Sequence, residues 1–286
     1  MSAAGRTGAR APASAPMADL PTATGVLDAL AGVRDPELDE PITGLGFVAD
    51  LRVEGETVEL ALRLPTYWCA PGFAWLMAAD AEAAIARMPG VRRARVRLVD
   101  HFAADEISAG LAEGRGFAAS FPGLADGGLE DLRATFRRKA LLARQDRLCR
   151  SIAAAAGRQP GDAGRPEQLQ VADLPPGPDT DAYLHRRREL GIDSSPEAPF
   201  LLDEEGRPVA PAGVPTALRR GRAVRVSIEG NASLCRGLLA TRYGPGGEAG
   251  KGPALAGLTA GPGEVPGAAP QVAPVGGGAS RRGGAA

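Results

Sequence analysis

The chain has 286 residues, with 33 Lys and Arg against 34 Asp and Glu and a formal charge of −1. That balance gives no global drive toward nucleic acid, and no apolar run approaches the roughly 18 residues a membrane span needs. Aromatic residues make up only 4% of the chain while Gly and Pro number 39 and 25, so Ala, Leu and Val must build the core and much of the chain lies outside it. The length allows one large domain or two small ones. The 3 Cys are widely spaced, with no CxxC pair and no disulfide ladder, which points to a reducing cytoplasm. The first residues carry Arg but no apolar stretch, so no signal peptide is expected.

Residues 1–21 are Ala, Gly, Pro and Ser with little to bury, and are expected to be disordered. Thr24 can cap a short helix carrying Val26, Leu27, Leu30 and Val33. Pro36 then forbids helix and biases Asp35 toward an extended conformation, which holds Asp35 and Glu37 on a loop. That loop is either an acidic turn or a source of ligands. Phe47, Ala49, Leu51 and Val53 share one face of a strand, and Glu54-Gly55 turns it into a second. In the second strand Val58, Leu60, Leu62 and Leu64 alternate with Glu59, Ala61 and Arg63, the pattern of a half-buried strand. It runs into Pro65-Thr66-Tyr67-Trp68-Cys69-Ala70-Pro71-Gly72, after which Phe73, Leu76, Met77, Ala84, Ile85 and Met88 follow helical spacing.

Cys69 therefore sits on a strand-to-helix turn, with Pro71 at the start of the helix. Unpaired N–H groups and the helix dipole at that place favour a thiolate, suited to metal ligation or nucleophilic attack. The alternative is a small apolar side chain packed beside Tyr67 and Trp68. Met88-Pro89-Gly90 stops the helix, and Val91–Val99 forms a third strand. Its Arg93, Arg95 and Arg97 line one face, as on a solvated edge strand or, less simply, along a phosphate backbone. His101 follows directly, among Asp100, Asp105 and Glu106. It is a candidate iron or zinc ligand or a structural histidine; Asp105 also suits the cap of a helix over Glu106–Leu111. Residues 22–116 thus read as one small α/β domain, a three-stranded sheet with flanking helices.

Asp35-Pro36-Glu37-Leu38, Leu45-Gly46-Phe47-Val48, the strand ending before Cys69, and Pro89-Gly90-Val91 before an alternating strand together resemble the SufT/PaaD-like iron–sulfur cluster assembly family, over about residues 24–111. The resemblance implies a small, usually dimeric α/β protein that helps iron–sulfur clusters reach metalloenzyme clients, working with the assembly machinery and without catalysis of its own. It also implies that Cys69 is the reactive or cluster-ligating cysteine and that the acidic loop of Asp35 and Glu37 lies close to it. The long C-terminal half resembles a subgroup found beside bacterial multicomponent di-iron monooxygenases. A di-iron hydroxylase is then the implied client, and a monooxygenase accessory or metallochaperone role follows. One cysteine cannot fill four cluster positions. It can hold a cluster bridged between two protomers, or one iron transiently with His101, Asp35 or Glu37 beside it; incomplete ligation suits a cargo that must leave.

Residues 117–243 are expected to be mainly helical, after a Gly-rich connection over 115–127. Leu129, Leu132, Phe136, Ala140 and Ala143 begin a long basic helix reaching Ala155, whose arginines meet water, an acidic protein or nucleic acid; Cys149 on it reads as packing. Gly157–Pro178 is a linker. A helix over Asp181–Leu190 carries Arg186, Arg187 and Arg188, with His185 at the surface. Phe200–Leu202 and Ala223–Ile228 read as short strands, and Asn231 as the cap of a last helix bearing Leu234, Cys235, Leu238 and Leu239. Cys235 is a second thiol whose place in a site depends on nearness to Cys69. Residues 244–286 form a Gly/Pro-rich tail expected to be disordered. Two further functions compete with a carrier: an enzyme using Cys69 with His101 as base, and an adaptor binding nucleic acid or protein through its arginine-rich faces.

Overall fold

The structure, a computed structural model, describes residues 20–123, 128–158 and 164–244; the expected disordered ends fall outside these but for a few residues. Helix α1 (Ala23–Leu30) is capped by Thr22, whose hydroxyl accepts from the Gly25 N–H, two residues earlier than the expected cap at Thr24. The acidic loop follows. Strands β1 (Val48–Glu54) and β2 (Thr57–Arg63) form the expected antiparallel hairpin around Gly55. Helix α2 (Pro71–Ala86) is the crossover that a parallel pair requires, and β3 (Arg93–Val99) returns beside β2. Among the described residues the sheet has three strands in the order β1-β2-β3. The edge position of β3 accounts for exposed Arg93, Arg95 and Arg97.

Helix α3 (Ala104–Ala112) starts beyond Ala103, so Asp105 lies in its first turn and not at its cap. A short turn, α4 (Phe117–Ser120), follows. The apolar sides of α2, α3 and the sheet close over a core containing Leu60, Leu62, Ala78, Ile85 and Ile107. Strand β2 is not half-buried as its alternation predicts: Ala61 and Arg63, on the polar face, are also buried. Arg63 is covered from far along the chain, where the Tyr243 ring stacks 4.5 Å from its guanidinium.

The C-terminal region is helical. Helix α5 (Glu130–Ala155) carries the basic run, α6 (Pro178–Glu189) packs on it, and α7 (Val214–Tyr243) runs along both it and the first core. The predicted strand over Ala223–Ile228 is instead part of α7, and Asn231 lies inside that helix. Buried Gly221, Ile228, Ala232, Leu239 and Tyr243 recur at spacings of 7 and 4, a helical face that overrides local β preference. Gly221 permits close contact: a Cβ there would sit 3.3 Å from the Leu142 carbonyl. Phe200–Leu202 is extended, but it forms only isolated bridges and feeds a second core with Leu141, Cys149 and Tyr183. Among the described residues no helix is long and apolar enough to cross a membrane.

The basic helix meets acidic partners within its own chain. Arg133 binds Asp80 at 2.6 Å, Arg137 meets Glu189 at 3.3 Å, and Arg147 reaches Glu229 at 3.2 Å. Most buried is Asp39, 4% exposed, at the end of the acidic loop. Arg186 Nε donates to its Oδ1 at 3.0 Å, and Arg144 Nε lies 2.6 Å from Oδ2, an ion-pair contact poorly aligned for a hydrogen bond. Removing one partner of such a buried cluster strands the others. Asp39→Ala is expected to destabilise the protein by about 3–5 kcal/mol in urea unfolding. Asp50→Ala, which breaks only the exposed pair with Arg52, is expected to cost less than about 1 kcal/mol.

Candidate functional site

The turn after β2 presents Cys69 one residue before Ala70, the N-cap of α2. Its local order comes from Thr66, whose hydroxyl accepts from the Trp68 N–H at 3.3 Å and lies 3.3 Å from Cys69 Sγ. Cys69 is half-buried on the edge of the first core. Its aromatic neighbours do not seal it. Trp68 is 74% exposed, Tyr67 44% and Phe102 41%, and the Trp68 and Phe102 rings lie 5.5 Å apart in an open cluster.

His101 braces this turn from the end of β3. The Ala103 N–H donates to Nδ1 at 3.1 Å, so the proton is on Nε2, which donates to the Cys69 carbonyl at 2.7 Å. Burial holds its pKa below the ordinary value; the bond to Cys69 opposes this, and the Arg242 charge adds to it. Both ring nitrogens are thus engaged with backbone. Ligation by His101 would require one of these bonds to open, and neither nitrogen addresses the sulfur as a base for nucleophilic attack would.

Asp35 is nine-tenths buried, and its Oδ1 accepts from the Glu37 and Leu38 N–H groups, both at 2.8 Å. Burial pushes its pKa up to about 6 against those two bonds, with help from the charges of Glu37 and Glu40. Glu37 Oε1 accepts from Asn231 of α7 at 3.2 Å, and Arg236 of α7 pairs with Glu40. The last turn of α7 then grips both sides of the Cys69 turn: Arg242 donates to the Leu64 carbonyl at 3.3 Å and the Asp100 carbonyl at 2.8 Å.

The thiol that sequence spacing could not place is Cys235, on α7 between these contacts. Its pKa is pushed up to about 11, first by burial and then by the charges of Asp35, Cys69 and Glu37. The structure therefore brings Asp35, Glu37, Cys69 and Cys235 into one electrostatic neighbourhood, with His101 behind the turn. Among the described residues no three His, Cys, Asp or Glu side chains form a group able to hold a metal by themselves. Cys149 stands apart in the second core, its thiol pushed to about 12 by burial.

Residues 24–98 match the family described as iron–sulfur cluster assembly protein. The matched stretch runs from α1 into β3, takes in Asp35, Glu37 and Cys69, and supports a role in cluster assembly. It ends before His101 and covers none of α5, α6 or α7. Nothing among the curated proteins matches the chain.

The raised Asp35 pKa has a definite sign for stability. Below the ordinary 3.8 the carboxyl is protonated in folded and unfolded chains alike and contributes nothing. As pH rises through the window from 3.8 to about 6, the folded state comes to carry a buried carboxylate at a cost of about 3 kcal/mol. Glu37 and Glu40 on the loop and Cys235 from α7 face that charge. Asp35→Asn keeps an acceptor for the two N–H groups without the charge. In urea titrations it is expected to be more stable than the natural chain above about pH 6, with the gap closing below 3.8.

Proposed function

We propose that this protein is a non-catalytic assembly factor that carries an iron–sulfur cluster, or iron on its way to one, on Cys69. The observation behind this reading is the open turn bearing Cys69 in the stretch that matches the assembly family. A thiol at a strand-to-helix turn is accessible to cargo yet fixed in direction, because its carbonyl is held by His101 and its hydroxyl neighbour is Thr66. Few strong donors surround it. Cargo bound there keeps open positions for a second copy's Cys69 or for the ligands of the recipient.

The recipient in this reading is a metalloenzyme, and the resemblance of the C-terminal half favours a di-iron monooxygenase hydroxylase. The exposed rings of Tyr67, Trp68 and Phe102 beside the thiol suit an encounter with such a client, since aromatic side chains concentrate at protein contacts. A cysteine enzyme draws less support, because the His101 proton points at a backbone carbonyl. The nucleic-acid reading also weakens, since Arg133, Arg137, Arg144 and Arg147 are spent on ion pairs within the chain.

Anaerobic reconstitution with ferrous iron and sulfide, followed by iron and sulfide analysis of the desalted protein, tests the cargo. The natural chain is expected to retain iron, and Cys69→Ser to lose most of it. Equal retention by both would remove Cys69 from the function.

A further inference from the structure

We infer that the junction of the acidic loop with α5 and α6 is a binding site for a small oxyanion of the phosphate class. The inference is independent of the cargo reading of Cys69 and stands or falls without it.

A cavity of about 70 Å³ lies at this junction. Arg34 of the acidic loop, Arg133 and Arg137 of α5, Arg186 and Glu189 of α6, and Asp80 of α2 line it. Gly32 and His185, both exposed, also line it, so it is reached from solvent. A water needs at least roughly 10–15 Å³ of such space, so about five water-sized atoms fit, as many as a tetrahedral oxyanion has.

The charge around the cavity does not cancel. Arg133 is committed to Asp80, its two terminal nitrogens 2.6 and 3.0 Å from the two carboxylate oxygens. Arg186 shares Asp39 with Arg144 and also pairs with Glu189. Arg137 reaches the same Glu189 at 3.3 Å. Arg34 pairs with no carboxylate among the described residues; it donates to the Asp39 carbonyl at 2.7 Å. Arg34, Arg133, Arg137, Arg144 and Arg186 thus share three carboxylates, those of Asp39, Asp80 and Glu189. Glu130 adds only an exposed contact, 3.9 Å from Arg133.

A surplus of guanidinium charge held partly out of water calls for an anion. The planar fork of Arg fits the oxygens of phosphate, and such charge-assisted bonds are the strong ones. Arg34 and Arg137 keep the most N–H donors free for it, since the donors of Arg133 and Arg186 face carboxylates. The cavity has no room for a nucleobase. Its ligand is therefore inorganic phosphate, or the phosphate end of a small monoester whose remainder stays in solvent.

Calorimetric titration of inorganic phosphate into the full chain, against sodium chloride of matched ionic strength, tests this. One saturable site is expected for phosphate and none for chloride. Arg34→Gln and Arg137→Gln are each expected to weaken binding roughly 10–100-fold, the worth of a hydrogen bond to a charged group. Arg93→Gln, on the β3 edge, is expected to leave it unchanged. Glycerol phosphate separates the two sources, and either order supports the site: tighter binding than phosphate points to a monoester, weaker binding to free phosphate. No saturable binding of phosphate, acetate bound as tightly as phosphate, or full affinity in either arginine variant would overturn the inference. A second readout needs no variant: the thermal midpoint of the natural chain is expected to rise with phosphate beyond its rise in chloride. A midpoint that follows ionic strength alone would overturn the inference even where a variant fails to fold.

Discussion

One buried carboxylate ties the C-terminal helices to the acidic loop. Asp39 takes Arg144 from α5 and Arg186 from α6, and its carbonyl takes Arg34 and Arg144. Its backbone occupies the left-handed region, at φ 53°, which Asp tolerates better than most residues. Two guanidiniums and a carboxylate removed from water are costly, and only their mutual contact makes the burial tolerable. The helices are thereby obliged to meet the loop in one orientation. A purely apolar contact between α5 and the loop would slide more easily.

That constraint explains why the acidic loop looks the way it does. Each of its carboxylates has a separate occupation: Asp35 closes its own turn, Glu37 meets Asn231, Asp39 meets two arginines, and Glu40 meets Arg236. The C-terminal region reads the loop group by group. Helix α7, packed on α5 and directed by these contacts, arrives over β2 with Tyr243 on Arg63 and Arg242 across the strand ends. The Cys69 turn is consequently braced from behind by His101 and from the side by α7, while its outer aromatic face stays in solvent. Rigidity behind and openness in front is the arrangement that a directed ligand needs.

The sheet and the helices flanking it were legible because each of these elements carries its own signal. Alternation marks β1, β2 and β3, Pro71 opens α2, Pro89-Gly90 closes it, and Gly55 makes the hairpin. What could not be read is what a distant segment does to a local one. Ala61 and Arg63 are polar-face positions in any alternating strand, yet both are buried, Arg63 against the ring of Tyr243 far along the chain. Val224, Val226 and Ile228 alternate as a strand would, yet Val226 is exposed and Ile228 buried because α7 turns its face by helical steps. The arginines of α5 were read as facing water, an acidic protein or nucleic acid, and four of them, Arg133, Arg137, Arg144 and Arg147, pair with Asp80, Glu189, Asp39 and Glu229 of the same chain. At the site, spacing put Asp35, Glu37 and Cys69 in play. It could not show that the Ala103 N–H fixes the His101 tautomer, or that Asn231 of α7 hydrogen-bonds Glu37.

Incomplete ligation is a requirement of carriage. Structural zinc held by four protein ligands is bound by about 10–16 kcal/mol, and at such depth dissociation is too slow for delivery. A cargo on one or two thiolates, with carboxylates near but already hydrogen-bonded, keeps empty positions in its shell. A recipient's ligand can then enter before the carrier's leave, so the metal is never bare. In the proposed reading, the geometry suits this demand from both directions. His101, Asp35 and Glu37 have hydrogen-bond work that keeps them from closing the shell, and the exposed rings of Tyr67, Trp68 and Phe102 leave one side of Cys69 open to an approaching protein. In that reading, the same bonds that hold the turn still keep it from becoming a permanent metal site.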